Sequence, residues 1–279
     1  LPVNKKGDLL VNTEKLGRYA EPVRLILIFG GFLLFWEIVV RLLSIPSYIL
    51  PPPSQILVDL WARRERIAVA SLYTLQPMVL GFIAAVIMGV TIALAIAFSK
   101  KIEQVFYPLL VFLQIIPKIA IAPLFIIWFG FGLMPKILLV FLLSFFPVVV
   151  SAITAFRSVD ADIMDLARST GASALRTFIK IQLPHALPTL FTGFKVAAAL
   201  SATAAVVAEF VASDQGLGYL LLEYNGAMNT SMSFAIILVL SLLGLGLYGI
   251  VELLERVSIP WHISHRQQES QSHMSPINP

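Results

Sequence analysis

Few side chains in this sequence are equipped for chemistry. Cysteine is absent, which excludes disulfides, thiolate metal sites and cysteine nucleophiles. The four histidines, His185, His262, His265 and His273, lie outside every long apolar stretch, and no two have metal-ligand spacing on a helix. The apolar stretches hold neither histidine nor aspartate, so a membrane-embedded enzyme would lack the convergent acid, base and nucleophile that it needs. No G-x-x-x-x-G-K-[ST] phosphate cradle occurs, so nucleotide chemistry would belong to another polypeptide. What remains is a set of polar groups inside apolar surroundings. Gln114 and Lys118 sit in QIIPKIAIAP, and Ser201 and Glu209 sit in a later stretch. An ammonium in hydrocarbon costs about 2.5–3.5 kcal/mol on insertion scales, so Lys118 must face a cavity or a partner. Two roles are open to it: attraction of an anionic solute, or a bond to carbonyls freed by the prolines at 117 and 123. Glu209 either lines an outer gate or snorkels toward headgroups. If the chain conducts a solute, these four are the candidates to line its pathway.

The elements that would position them are membrane spans. Hydrophobic types make up 58% of the 279 residues and charged types 13%, against about 25% charged in a soluble domain. The bilayer is therefore the expected solvent for most of the chain. Six stretches have the ~20 apolar residues that a crossing needs: about 23–43, 72–98, 105–128, 136–156, 186–212 and 233–254. Pro117 and Pro123 predict a kinked or unwound third span. Gly193, Ala197, Ser201 and Ala205 give the fifth span one smooth face, for helix packing or for a narrow conduit. Residues 1–22 read as a cytoplasmic N-terminal segment, 23–260 as one transmembrane domain, and 261–279 as a polar, disordered tail. With the N-terminus inside, 13 Lys and Arg face the cytoplasm and 4 face outward, counted along the sequence. Both termini are thus expected inside. Arg63, Arg64 and Arg66 are the discordant cluster.

Loop 157–185 carries the most information. Asp160 and Asp162 mark a helix start, and Gly171 marks its close on a left-handed residue. A second short helix, 172–181, places Arg176 and Lys180 on one face, and Leu183-Pro184 is expected to break it. Two short helices meeting at a glycine make a knob suited to a groove in a soluble partner.

At these residues the chain resembles the permeases of ABC importers. Their loop reads E-A-A, a glycine six residues after the Glu, then an aromatic, Ile and Leu-Pro. Here Asp165-Leu166-Ala167 stands for E-A-A, followed by Gly171, Phe178, Ile181, Leu183 and Pro184. Asp165, Leu166 and Thr170 depart from the usual Glu, Ala and Asp. LPPPSQI (50–56), IAPLFIIWFGFGLMPK (121–136), FFPVVVSAITAFRSVD (145–160), AEFVASDQGLGYL (208–220) and VELLERVSIPWH (251–262) resemble the nitrate/sulfonate/taurine-type branch. The resemblance implies an all-α, type I importer-like permease of the inner membrane that is not itself an enzyme. It implies a coupling loop carried by Asp165, Ala167, Gly171, Ala172, Phe178, Ile181, Leu183 and Pro184. It also implies a homodimer or closely related pair, two ATPase subunits that hold ATP and Mg, and an extracytoplasmic solute-binding protein. No cofactor or metal is expected on this chain. A small oxyanion or an anionic or aromatic organic compound is the expected solute class, with Lys118 favouring an anion. A secondary transporter is the competing reading, but it leaves the Gly171 loop without a purpose.

Overall fold

The computed structural model describes Arg24 and residues 27–261. The expected cytoplasmic N-terminal segment 1–22 and almost all of the 261–279 tail lie outside the described residues. Every regular element described is a helix: α1 (27–42), α2 (Pro53–Ala62), α3 (Arg64–Phe98), α4 (Lys100–Ile115), α5 (Ala122–Phe129), α6 (Leu133–Arg157), α7 (Ala161–Ser169), α8 (Ala174–Thr177), α9 (Leu183–Ala212), α10 (Leu217–Gly226) and α11 (Thr230–Ser258). Four described helical stretches are long and apolar enough to cross a membrane: α3, α6, α11, and the run Ala174–Val211 that contains α9. Six spans were expected. The first, 23–43, falls partly outside the described residues.

The third expected span is a bent pair. α4 and the segment Lys118–Phe129 meet at 84°. Pro117 causes the break by crowding the residue before it out of the helical region, and Ile116 indeed sits at φ −63°, ψ 131°. A short 3₁₀ turn, Lys118–Ile121, then leads into α5.

The described residues divide into two compact units, one made of those up to Arg64 with Tyr224–Ala235, the other of Glu65–Glu223 with those from Ile236 onward. In the first unit, Pro53 opens α2 at a position where its missing N–H costs nothing. Glu37 of α1 then takes an orphan donor of that helix, accepting from Ser54 N at 3.0 Å and from Ser54 Oγ at 2.8 Å. Arg63, one of the discordant arginines, donates to Tyr224 Oη at 2.8 Å. Arg64 stacks on Trp61 at 4.8 Å.

The second unit is built around the pair α6–α9. The small face of α9 is a packing face: Ala197 and Ala205 are fully buried, Ser144 Oγ of α6 donates to Ala197 O at 3.2 Å, and a Cβ on Gly193 would overlap Ser151. α3 closes on α6 in the same manner. A Cβ built on Gly81 would lie 2.6 Å from Val140 Cβ and 2.9 Å from Ile137 O. Backbone cannot yield as a flexible side chain can, so Gly81→Leu is expected to destabilise the protein by about 1–3 kcal/mol. A shortened half-life on heating in detergent is the check, and an unchanged half-life would refute this contact. Arg66, the last discordant arginine, pairs with Glu223 at 2.7 Å.

Candidate functional site

The loop between α6 and α9 forms the expected knob. Asp160 caps α7, its Oδ1 accepting from Asp162 N at 3.0 Å. α7 ends in a paired C-terminal closure: Gly171 N donates to Arg168 O at 3.0 Å and Ala172 N to Ala167 O at 3.3 Å. That pattern needs a left-handed residue at its corner, and Gly171 has φ +72°. Ser173 caps α8 through Arg176 N at 3.4 Å.

The second helix differs from expectation. Only Ala174–Thr177 is α-helical, followed by a π turn over Phe178–Gln182. Leu183-Pro184 does not break the chain's helical course, because Ala174–Val211 runs on as one rod. Pro184 lacks a donor, and its ring would crowd the carbonyl of Lys180. The wider π turn just before it absorbs both defects.

Of the eight expected knob residues, Ala167, Ala172 and Ile181 line a cleft of about 300 Å³ between the two short helices, together with Arg176 and Lys180. Phe178 points the other way, against Phe98 at 5.3 Å and Phe156 at 5.9 Å between ring centres. It therefore ties the knob to the ends of α3 and α6. Leu183 joins the same apolar cluster, and Pro184 opens α9. Asp165 stays on the outer surface, paired with Arg168 at 3.0 Å. Leu166 and Leu175, 66% and 69% exposed, give the knob an apolar, unpaired rim.

The four pathway candidates do not form one site. Gln114 and Lys118 meet at the break after α4, where Lys118 Nζ donates to Gln114 O at 3.2 Å and lies 4.5 Å from the Phe146 ring centre. The ammonium thus caps a carbonyl that the kink releases. Gln114 also lines a cleft of about 520 Å³ between α4 and α6, with Tyr107, Phe146, Thr154, Arg157 and Ser158. Arg157 there pairs with Glu103 at 2.7 Å. Ser201 is fully buried, donating to Ala198 O at 2.7 Å. Glu209 is also fully buried, so it does not snorkel. Its Oε2 accepts from Gly218 N at 2.6 Å and from Thr74 Oγ1 at 3.1 Å.

Sequence reasoning missed three groups. Lys195 and Glu255 form a buried ion pair, 10% and 5% exposed, with Lys195 Nζ 6.0 Å from the Tyr248 ring centre. The signal was present, since an intramembrane lysine requires a partner and Glu255 lies beside the sixth apolar stretch. Lys136 is buried and donates to Ser213 Oγ at 2.6 Å. Arg157 and Tyr107 were read only as a charge marker and as part of a span.

Long apolar helices, a broken helix and a capped helical knob continuous with a long apolar helix describe a membrane-spanning protein with a built helical loop outside its spans. Comparison with known proteins specifies the kind. Residues 78–257 match the family described as binding-protein-dependent transport system inner membrane component. A probable ABC transporter permease of Haemophilus influenzae is 37% identical over 80% of this chain and 91% of its own length. A riboflavin transport system permease of Chloroflexus aurantiacus is 35% identical over 87% and 90%. A taurine transport system permease of Escherichia coli is 31% identical over 81% and 85%. The inward-facing MetNI methionine ABC transporter shares the fold, with TM-score 0.62 and 15% identity over 70% of this chain and 97% of that one. The chain belongs to the family of binding-protein-dependent transport system inner membrane components, in its nitrate/sulfonate/taurine branch. It has the type I importer permease fold and is a transmembrane subunit that itself catalyses no reaction.

Proposed function

We propose that two copies of this chain, or this chain and a close relative, line the solute path of an importer whose ATP and Mg are held by two partner ATPases. An extracytoplasmic binding protein delivers the cargo, and both termini and the 157–185 knob lie in the cytoplasm. The observation that carries this reading is the knob itself: a capped, glycine-cornered pair of helices with an apolar rim, continuous through the π turn with a membrane helix. A loop needed only to join two spans has no use for such a rim. When ATP draws the ATPases together, the knobs move with them. The α9 helix, about 45 Å long at 1.5 Å per residue, tilts as a rod, and alternating access follows.

The α4–α6 cleft of Gln114 and Tyr107 is the stretch we assign to the cytoplasmic end of the path, with Lys118 at its edge. An amide, a phenol and a phenyl ring at one cleft, with Arg157 already paired, suit a small organic solute that carries rings or polar edges. The riboflavin and taurine relatives bracket that class.

Orientation is testable because the chain has no cysteine of its own. Leu175→Cys on the knob and Gln215→Cys beyond the far end of α9 are both exposed positions. The first is expected to react with an impermeant maleimide only in inside-out vesicles, and the second only in right-side-out cells. Labelling of both from one side would reject this arrangement.

A further inference from the structure

The far end of α9 is built with as much care as the end at the knob. Segment 213–218 and the start of α10 fold over it, and three helices each send a side chain into that segment. From α9, Glu209 accepts from Gly218 N at 2.6 Å. From α3, Thr74 Oγ1 accepts from Leu217 N at 2.8 Å while it bonds Glu209 Oε2 at 3.1 Å. From α6, Lys136 holds Ser213 at 2.6 Å. The first two N–H groups of α10 have no carbonyl of their own helix to bond, and both are satisfied from outside, one by a carboxylate at the positive end of the helix.

The glycines show that the backbone closes on that carboxylate. Gly216 has φ +107°, and a Cβ there would overlap the Glu209 carboxylate. A Cβ on Gly218 would stand 2.8 Å from Glu209 Cβ. Glu209 Oε1 is buried and has no hydrogen-bond partner among the described residues. A buried acceptor left one bond short raises the energy of this arrangement. The cluster is therefore able to gain a bond in another one.

Of the three anchoring helices, α9 alone continues from the knob as one helical run, whereas α6 enters it through the non-helical residues 158–160. Segment 213–218 also forms one wall of a cleft of about 410 Å³, where Asp214, Gln215 and Tyr219 face Glu65, Arg66 and Tyr73. We infer that Glu209 is the positioning residue that makes segment 213–218 follow α9, so that movement of the knob reshapes the cleft at the opposite end of the same helix. The inference rests on the proposed role of the knob and adds the far-end attachment through which that role reaches the other side of the protein.

The test uses the full complex of permease, ATPase and binding protein in lipid vesicles, with spin labels at Gln215→Cys and Glu65→Cys across the cleft. A second pair, Leu175→Cys on each permease copy, reports the knob. In the otherwise unaltered complex, trapping with ATP and vanadate is expected to change both distances. In Glu209→Ala the knob distance is expected to change as before, while the cleft distance stays fixed and uptake falls at least ten-fold. Glu209→Gln retains an acceptor for Gly218 N and is expected to restore most of the cleft movement. Glu209→Leu keeps most of the volume without the acceptor and is expected to fail as Glu209→Ala does, whereas a simple packing role would let it move the cleft normally. Thr74→Val removes one link only and is expected to give partial loss, which keeps the test open if Glu209→Ala assembles poorly. A cleft that moves normally in Glu209→Ala overturns the inference. A cleft that never moves while the knob does also overturns it, yet leaves the proposed function standing. A knob that does not respond to nucleotide defeats the proposed function instead.

Discussion

Gly171→Val is expected to abolish uptake while leaving a folded, membrane-inserted permease. Gly171 closes α7 at φ +72°, and a Cβ built there meets nothing within 4 Å. The penalty is thus conformational rather than steric, of order 1–3 kcal/mol for a β-branched side chain. That strain is relieved by letting the corner between α7 and α8 reopen. The bonds Gly171 N–Arg168 O and Ala172 N–Ala167 O are then lost, and the apolar rim of Leu166 and Leu175 loses its geometry. The packed pair α6–α9 is untouched, so yield and heat resistance are expected to stay near those of the unaltered protein. Gly130 supplies a severe control. It has φ +73° and ψ −177°, a region essentially closed to other residues, with equally open surroundings, but it sits between α5 and α6, away from the knob. Gly130→Val imposes at least as much strain and is nonetheless expected to retain far more of the transport. The measurement is ATP-driven uptake in vesicles, with ATPase recovery on purification. If the two variants transport equally well, the knob has no special role.

Lys195→Met is expected to do the opposite: it harms the folded protein and acts on transport only through lost protein. Lys195 and Glu255 are taken out of solvent together. Removing the ammonium leaves the Glu255 carboxylate buried without the cation it faced, and such losses run to about 3–5 kcal/mol. Membrane-protein unfolding is rarely reversible, so the quantity to measure is the inactivation half-life at fixed temperature in detergent. The double variant Lys195→Met/Glu255→Leu removes both charges and is expected to recover most of the loss, because a well-packed apolar pair of similar volume is often no less stable than the ions. A double variant as short-lived as the single one would show that the loss does not come from the stranded Glu255 charge.

These two residues also mark how far the sequence could be read. Gly171 was legible, because a capped helix closing on glycine has a local signature, and Asp160, Gly171 and the kink at Pro117 all stand where spacing places them. Local rules failed where a neighbour decides. Pro184 reads as a helix breaker, yet the π turn at Phe178–Gln182 carries the helix past it. Lys195 reads as a stray charge at a span edge, since its partner lies sixty residues further on. Glu209 and Ser201 were grouped with Gln114 and Lys118 as one pathway because all four are polar residues in apolar stretches. Polarity alone does not say which way a side chain points, and packing divides them: Ser201 into the α9 small face, Glu209 under α10, and Gln114 with Lys118 at the break. The Arg63–Arg66 cluster defied the charge rule because Tyr224, Trp61 and Glu223 engage those arginines within the fold.

The most direct test of the central claim is a photo-crosslinking side chain placed at Leu166 on the rim of the knob, in the intact transporting complex. Illumination is expected to join the permease to its ATPase subunit, with a yield that changes when ATP is trapped. The same probe at Leu242, an exposed residue in the apolar helix α11, is expected to give no ATPase adduct. A complex that transports normally but yields no ATPase adduct from position 166 would contradict the claim that this knob is where the motor grips the permease.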